Sequence, residues 1–349
     1  MGKPKNSKAD THVTVAKVAE QAGVSIGSVS SVLNNRHLER RISLKTVQKI
    51  REVAARLGYL PNIGARRLRS PAGIKNSLVL AFVTSFEAPL GLVGDLIYEL
   101  RRSVVAGAGD RSFSVVIEMF SAGHLRDLPG LLTRDHFNAA IITNTTAEDD
   151  LFLHRTHLSY PVVLINRAIP GYSCVVEHPN CGGRAAEVLV QAKHTKLAVM
   201  HGSPLTQTTR ARVDSFMTTV TRLMGRSAIE IVASKLSETA AYEAMNQFLD
   251  RKERIDALFC VTDSMAIGAY HAIKRRKLRI PDDIAVIGVG DYEISPFFDP
   301  PLSVVSVSRK QLGSEASRLL LRQLGPNPNP PTTVEIPVEA MLRASTGHD

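Results

Sequence analysis

The chain has 349 residues, 44% of them hydrophobic, which is enough for more than one packed core and excludes a disordered or fibrous protein. Its net charge of +10 is unevenly spread: residues 1–70 hold 14 Lys and Arg against 4 Asp and Glu, whereas the rest holds 29 of each. Such asymmetry marks a polyanion-binding module at the start and a neutral core with a separate task. The three cysteines, Cys174, Cys181 and Cys260, are scattered and form no CxxC pair, which excludes a disulfide framework or a zinc site and points to a reducing compartment. The N-terminus is basic and polar with no apolar run behind it, and the longest apolar stretches are strand-length. We therefore expect a cytoplasmic protein without a membrane segment, with residues 1–12 as a flexible basic tail.

In chain order, the first element is a pair of helices over residues 15–34. Val15, Val18, Ala19 and Ala22 fall at helical spacing, Gly23 supplies a turn at positive φ, and Ser25 caps the second helix. Val24, Val29 and Val32 complete the expected buried seam, and Ser28, Ser30 and Ser31 are left on the outer face. Such a helix-turn-helix places its second helix against DNA. A cation-rich loop follows at 34–42, and Ser43 opens a third helix bearing Val47, Ile50, Val53, Ala54 and Leu57 on one face, ended by Gly58. Pro61 then blocks continuation, and Asn62 can cap a short helix carrying Ala65 and Leu68. That segment suits insertion of Leu68 as an apolar wedge into a minor groove, with Arg66, Arg67 and Arg69 on phosphates; a basic linker without fixed structure is the alternative.

From residue 77 onward, strand-like and helix-like segments alternate. Strands are expected over 77–83, 113–120, 139–142, 161–165, 196–200, 229–233, 257–261 and 284–289, with helices over 91–106, 182–192 and 264–276 among those between. The expected fold is α/β: a three-helix helix-turn-helix domain over 13–60, a hinge segment over 61–76, and a two-lobed, doubly wound core over 77–349. In such lobes ligands bind beyond the carboxyl ends of the strands.

With these blocks in place, the chain resembles the lactose/galactose repressor (LacI/GalR) family of transcription regulators. The resemblance is carried by residues 13–25 and 58–68, by ValThrAspSerMetAlaIleGlyAla (261–269), by IleProAspAspIleAlaValIleGlyVal (280–289) and by ProProLeuSerValVal (300–305). It implies a core like the periplasmic sugar-binding proteins, with the chain crossing between lobes near 178, near 307 and again near the C-terminal strand. It also implies a homodimer or dimer of dimers on a pseudo-palindromic DNA operator.

By the same resemblance, Thr14, Ser25, Ser28, Ser30 and Asn34 match positions that touch phosphates or hold the recognition helix in register. Ile26 and Gly27 match the two base-reading positions, and Ser31 stands where arginine is common. Ile26 can meet a thymine methyl but offers no hydrogen bond, and Gly27 offers no side chain, so base readout is poor there. We expect part of it to move to Arg36, Arg40 and Arg41 in the lengthened loop, or to Leu68 and DNA deformability. In the effector cleft the matching positions are Ser85, Phe86, Glu87, Asn166, Arg212, Thr262, Asp263 and Asp291. Arg212 has the fork that suits a hydroxyl pair, carboxylate or phosphate; the alternative is a surface or inter-lobe arginine. Gly290 replaces the first of two acids common in the family, leaving Asp291.

The chain lacks a nucleophile elbow, a phosphate loop and a HisGluxxHis pair, and GlyxGlyxxGly is missing after the first strand. No enzyme activity, cofactor or metal is expected, and most histidines are expected at the surface or in loops. The expected function is a DNA-binding regulator, a repressor, controlled by a small-molecule effector such as a sugar or related metabolite. A solute-binding protein or a constitutive architectural DNA-binding protein is the alternative, but each leaves one part of the chain unexplained.

Overall fold

The structure is a computed structural model, and it describes residues 14–33, 40–57, 77–86, 88, 90–107, 112–128, 130–132, 136–290, 293–325 and 329–348. The chain divides into two compact units, Met1–Lys75 and Asn76–Asp349.

The first unit contains α1 (Val15–Ala22), α2 (Ile26–Leu33) and α3 (Leu44–Arg56). Thr14 opens α1 by accepting the Lys17 amide on Oγ1 at 3.3 Å. Gly23 closes it at φ 60°, with the amides of Gly23 and Val24 turned back onto the carbonyls of Glu20 and Ala19. Ser25 accepts the Ser28 amide at 3.1 Å and Ser43 that of Thr46 at 3.2 Å, so α2 and α3 also start on hydroxyl caps. The core is Val18, Ala19, Ala22, Val29, Val32, Val47, Ile50, Val53 and Ala54. Val15, Val24 and Leu57 are only partly buried, because three short helices enclose too little volume to cover residues at their ends. Val24 was expected within the seam and lies at its rim.

The second unit has two six-stranded sheets. Lobe 1 contains β1 (Ser77–Ser85), β2 (Ser112–Phe120), β3 (Ala139–Ile142), β4 (Val162–Ile165), β5 (Ser173–Glu177) and β11 (Thr333–Ile336), in the order β11-β5-β4-β3-β1-β2. All its pairings are parallel. Lobe 2 contains β6 (Leu197–Gly202), β7 (Ile229–Ala233), β8 (Ala257–Cys260), β9 (Ala285–Gly290), β10 (Ser303–Val307) and β12 (Val338–Met341), in the order β12-β10-β9-β8-β6-β7. Only β12 runs antiparallel to its neighbour. The helices are α4 (Leu90–Gly107), α5 (Ala147–Arg155), α6 (Cys181–Gln191), α7 (Gln207–Met224), α8 (Glu238–Leu249), α9 (Asp263–Arg275) and α10 (Arg309–Gln323). Strands β3, β4 and β8 are buried at every position, as a parallel sheet covered on both faces requires.

Strands β5, β10, β11 and β12 are absent from the runs singled out in the sequence. Each is four or five residues long, and β11 and β12 carry exposed or half-exposed residues along most of their length, so none presents an unbroken apolar run. The chain passes between lobes after β5, after β10 and between β11 and β12. All three cysteines are buried and free, and His201, at 5% exposure, is a core residue rather than a surface one.

Helix α6 packs tightly on α7 because residue 182 is glycine. A Cβ there would sit 1.8 Å from the Arg212 carbonyl oxygen. Gly182→Ala is expected to push α6 from α7 and cost about 1–3 kcal/mol. A calorimetric scan should show a lower Tm, and an unchanged transition would contradict the packing.

Candidate DNA-binding face and inter-lobe cleft

On the first unit, α2 presents a face with little to offer a base edge. Ile26 is 50% exposed, and a Cβ on Gly27 would meet nothing nearer than the Ser25 hydroxyl at 3.8 Å. The Ser31 hydroxyl donates to the Gly27 carbonyl at 2.8 Å, and those of Ser25 and Ser28 share a hydrogen bond at 2.9 Å. Ser28, Ser30 and Ser31 are half-buried rather than fully outward, and the Ser31 hydroxyl turns back onto its own helix backbone. Residues 23–27 also have the GlyxSerxGly spacing, but between two helices, where Ser25 is a cap and not a nucleophile on a strand-to-helix elbow. Arg40 and Arg41 are exposed just before α3, with Arg41 at φ 51°. Thr14 is exposed as well. Asn34, Arg36, Asn62, Ala65, Arg66, Leu68 and Arg69 lie outside the described residues.

In the second unit the carboxyl ends of the two sheets meet. Asn166, just past β4, adopts φ 56°; its side-chain oxygen accepts the Glu177 amide at 3.1 Å. Its carbonyl accepts from Arg167 Nη1 at 2.6 Å and from the Thr208 hydroxyl at 2.8 Å. Arg167 also donates to the Thr145 hydroxyl at 2.7 Å, the Thr145 carbonyl at 2.5 Å and Thr208 Oγ1 at 3.0 Å, and lies 3.6 Å from Asp150. The Gln207 side chain accepts the Ala168 amide at 2.9 Å. The first turn of α7, in lobe 2, is thus held by the loop after β4, in lobe 1.

One turn further along α7, Arg212 meets Glu177, the last residue of β5. Its Nε donates to Oε1 at 2.6 Å and its Nη2 to Oε2 at 2.5 Å, and Nη1 reaches the Val261 carbonyl at 2.6 Å. Glu177 is 7% and Arg212 9% exposed. Burial depresses the Arg167 guanidinium, against the opposing pull of Asp150, Asp149 and Glu177, and raises the Asp150 carboxyl, against the pull of Arg167 and Thr145. The Cys181 thiol beside the pair is raised by burial and further by Glu177.

The other expected cleft residues divide by location. Phe86 is 61% exposed, beside a hollow of about 430 Å³ lined also by Met119, Phe120, Ser121 and His124. Ser85 is 2% exposed and Asp263 fully buried, so neither meets solvent. Asp263 accepts from the Ser295 hydroxyl at 2.8 Å, and the absence of a Cβ at Gly288 leaves room for its carboxylate. Thr262 caps α9. Glu87 and Asp291 lie outside the described residues. A second hollow, of about 300 Å³, opens where Asp95, Tyr98 and Glu99 of α4 face Gly290 and the crossing from β10 to α10. Sequence reading missed Glu177 and Arg167; an acid ending the short SerCysValValGlu run and an arginine two residues past β4 were the available signals.

A capped helix-turn-helix in one unit and two parallel-sheet lobes meeting at their carboxyl ends in the other define a DNA-binding protein with a ligand-binding type of core. Residues 14–62 match the model for bacterial regulatory proteins of the lacI family, and residues 186–346 that for a periplasmic binding protein-like domain. The chain is 27% identical over 343 residues to the HTH-type transcriptional repressor PurR of Mannheimia succiniciproducens, covering 95% of this chain and 98% of that one. It is 27% identical over 324 residues to the ribose operon repressor of Escherichia coli K12, covering 89% and 93%. Among solved structures it is similar to the lac repressor dimer bound to operator and the anti-inducer ONPF, with TM-score 0.69 and 25% identity over 96% of this chain and 99% of that one. The chain thus joins a DNA-binding domain of the lacI family to a periplasmic binding protein-like domain, the same combination as in the repressors it is similar to.

The Glu177–Arg212 pair gives a direct stability test. Arg212→Met leaves a buried carboxylate without its partner and is expected to cost about 3–5 kcal/mol, whereas adding Glu177→Gln recovers part of that loss. Denaturant titrations of parent, singles and double read this coupling; additive losses would show the two side chains to be independent.

Proposed function

We propose that this protein is a transcriptional repressor that binds a pseudo-palindromic operator as a homodimer or dimer of dimers in the cytoplasm. Its DNA affinity is set by a small molecule held between the lobes. Its role is non-catalytic. The observation that carries this reading is the union of a capped, exposed α2 with a core whose polar side chains gather where two sheets meet. In this reading residues 13–60 form the DNA-binding domain, 61–76 the hinge segment, and 77–349 the effector-binding and dimerising core. A ligand bound between the lobes changes how the first lobes of the dimer meet and thereby orders or releases the hinge.

On the DNA side, we assign phosphate contact or helix positioning to Thr14, Ser25, Ser28, Ser30 and Asn34, and base contact to Ile26, with Gly27 allowing close approach. Ser31, the arginine-replacing position, lies on the same face. Arg36, Arg40 and Arg41 compensate for the missing polar readout, and Asn62, Ala65, Arg66, Leu68 and Arg69 serve the minor groove. The effector assignment comprises Ser85, Phe86, Glu87, Asn166, Arg212, Thr262, Asp263 and Asp291. Buried Ser85 and Asp263 act by shaping the wall, while Phe86 offers an aromatic surface.

The relatives named for ribose operon control and for PurR support a screen of sugars, sugar phosphates and nucleobases by melting temperature. It is followed by operator titration with each ligand that raises Tm. The expected hit also alters operator affinity; a ligand that stabilises the protein without doing so argues against the switch. Replacing Arg36, Arg40 and Arg41 together by Ala should weaken operator binding and flatten its salt dependence by up to about three counterions. Unchanged affinity and slope in fluorescence anisotropy would remove the loop from the interface. Ile26→Ala should cost about 1 kcal/mol and relax a preference for thymine opposite it, as read by substituting uracil for that base.

A further inference from the structure

The three arginines described around the meeting point of the lobes each lie close to an acid of the same chain. Arg212 holds Glu177 at 2.5 Å, Arg309 holds Asp95 at 2.6 Å, and Arg167 lies 3.6 Å from Asp150. Asp263, buried beside Gly288, adds a further carboxylate. The Arg212 pair is the most enclosed bidentate one, with both carboxylate oxygens on the guanidinium fork and Nη1 turned to the Val261 carbonyl.

We propose that Glu177 is a specificity-determining residue that makes the cleft reject anionic ligands: it occupies the fork of Arg212, so uncharged, hydroxyl-bearing ligands enter while their phosphorylated or carboxylated counterparts do not. The proposal rests on the effector-binding reading above and deepens it. An arriving phosphate or carboxylate can reach the fork only by expelling Glu177, whose carboxylate would then be stranded in a nearly dry site, or by lying beside it as a like charge. Neither partner has an easy retreat. The Glu177 amide is tied to the Asn166 side chain, and the Arg212 backbone lies against Gly182, with no room for even one further carbon. A neutral ligand faces no such conflict, since hydroxyls accept from a guanidinium and donate to a carboxylate, and so bind the pair without separating it.

The test uses the full-length protein and neutral sugars paired with anionic counterparts that keep the same ring: ribose with ribose 5-phosphate, glucose with glucose 6-phosphate, and glucose with glucuronate, each titrated by calorimetry. For the sugar that binds, the parent protein is expected to take the anionic member at least about tenfold more weakly. Glu177→Gln, with its fold checked by circular dichroism, should narrow or reverse that gap by a similar factor. A parent that binds an anion as tightly as its neutral counterpart overturns the proposal, with no variant required. A folded Glu177→Gln protein with an unchanged gap also overturns it, as does a parent that binds no member of any pair. Operator titration in the same samples separates this proposal from the reading beneath it. A sugar that shows the charge gap but leaves operator affinity unchanged overturns the effector switch and retains the filter. Operator affinity that responds to a phosphorylated sugar and not to the free sugar overturns the filter and retains the switch.

Discussion

A carboxylate and a guanidinium withdrawn from water at the seam between two lobes hold each other in place, because separating them strands a charge in a site that cannot solvate it. Glu177 and Arg212 are such a pair, and much of the core is arranged about them. Glu177 ends the last strand before the chain leaves lobe 1, and Asn166 fixes its backbone from the neighbouring strand end. Arg212 stands one turn into α7, whose first turn is already gripped by Arg167 and the Ala168 amide. Gly182 lets α6 press directly on that turn. The seam is therefore a continuous hydrogen-bonded edge running from Thr145 through Asn166 and Thr208 to Val261.

Most of the architecture could be read from residue order, because its signals are periodic. Small apolar residues at helical spacing, with Gly23 and Ser25 at the turn, specify the first two helices. Fully apolar runs such as β3, β4 and β8 specify central strands of parallel sheets. The unread strands are those whose burial is conferred by partners far away in sequence: β11 exists as a strand because β5 lies beside it, and its own residues alternate weakly. Short segments of that kind are defined by tertiary context more than by local preference.

The cleft was less legible than the fold, for an electrostatic reason. Family likeness pointed to Arg212 and Asn166, yet it could not say what each would touch. Arg212 proves to face an internal acid, and Asn166 spends its side-chain oxygen on a backbone amide. Asp263 and Ser85, expected among the ligand-facing groups, are buried, at 0% and 2% exposure. A pairing between residues 35 positions apart leaves no periodic trace, and only the folded chain shows that the cation has a resident counter-ion.

The triple passage between lobes has a consequence for how the molecule is made. Lobe 1 is assembled from residues 77–177 together with α10 and β11, which follow almost all of lobe 2 in the chain. Its edge strand pairs β5 with β11, and Gln323 reaches back 150 residues to the Ser173 hydroxyl. During synthesis from the N-terminus, the first lobe to begin is therefore completed only after the second has almost wholly emerged. Its open sheet edge must wait for that closure, which makes the early lobe the one most exposed to wrong partners and leaves a chain stopped before residue 309 without a finished lobe 1.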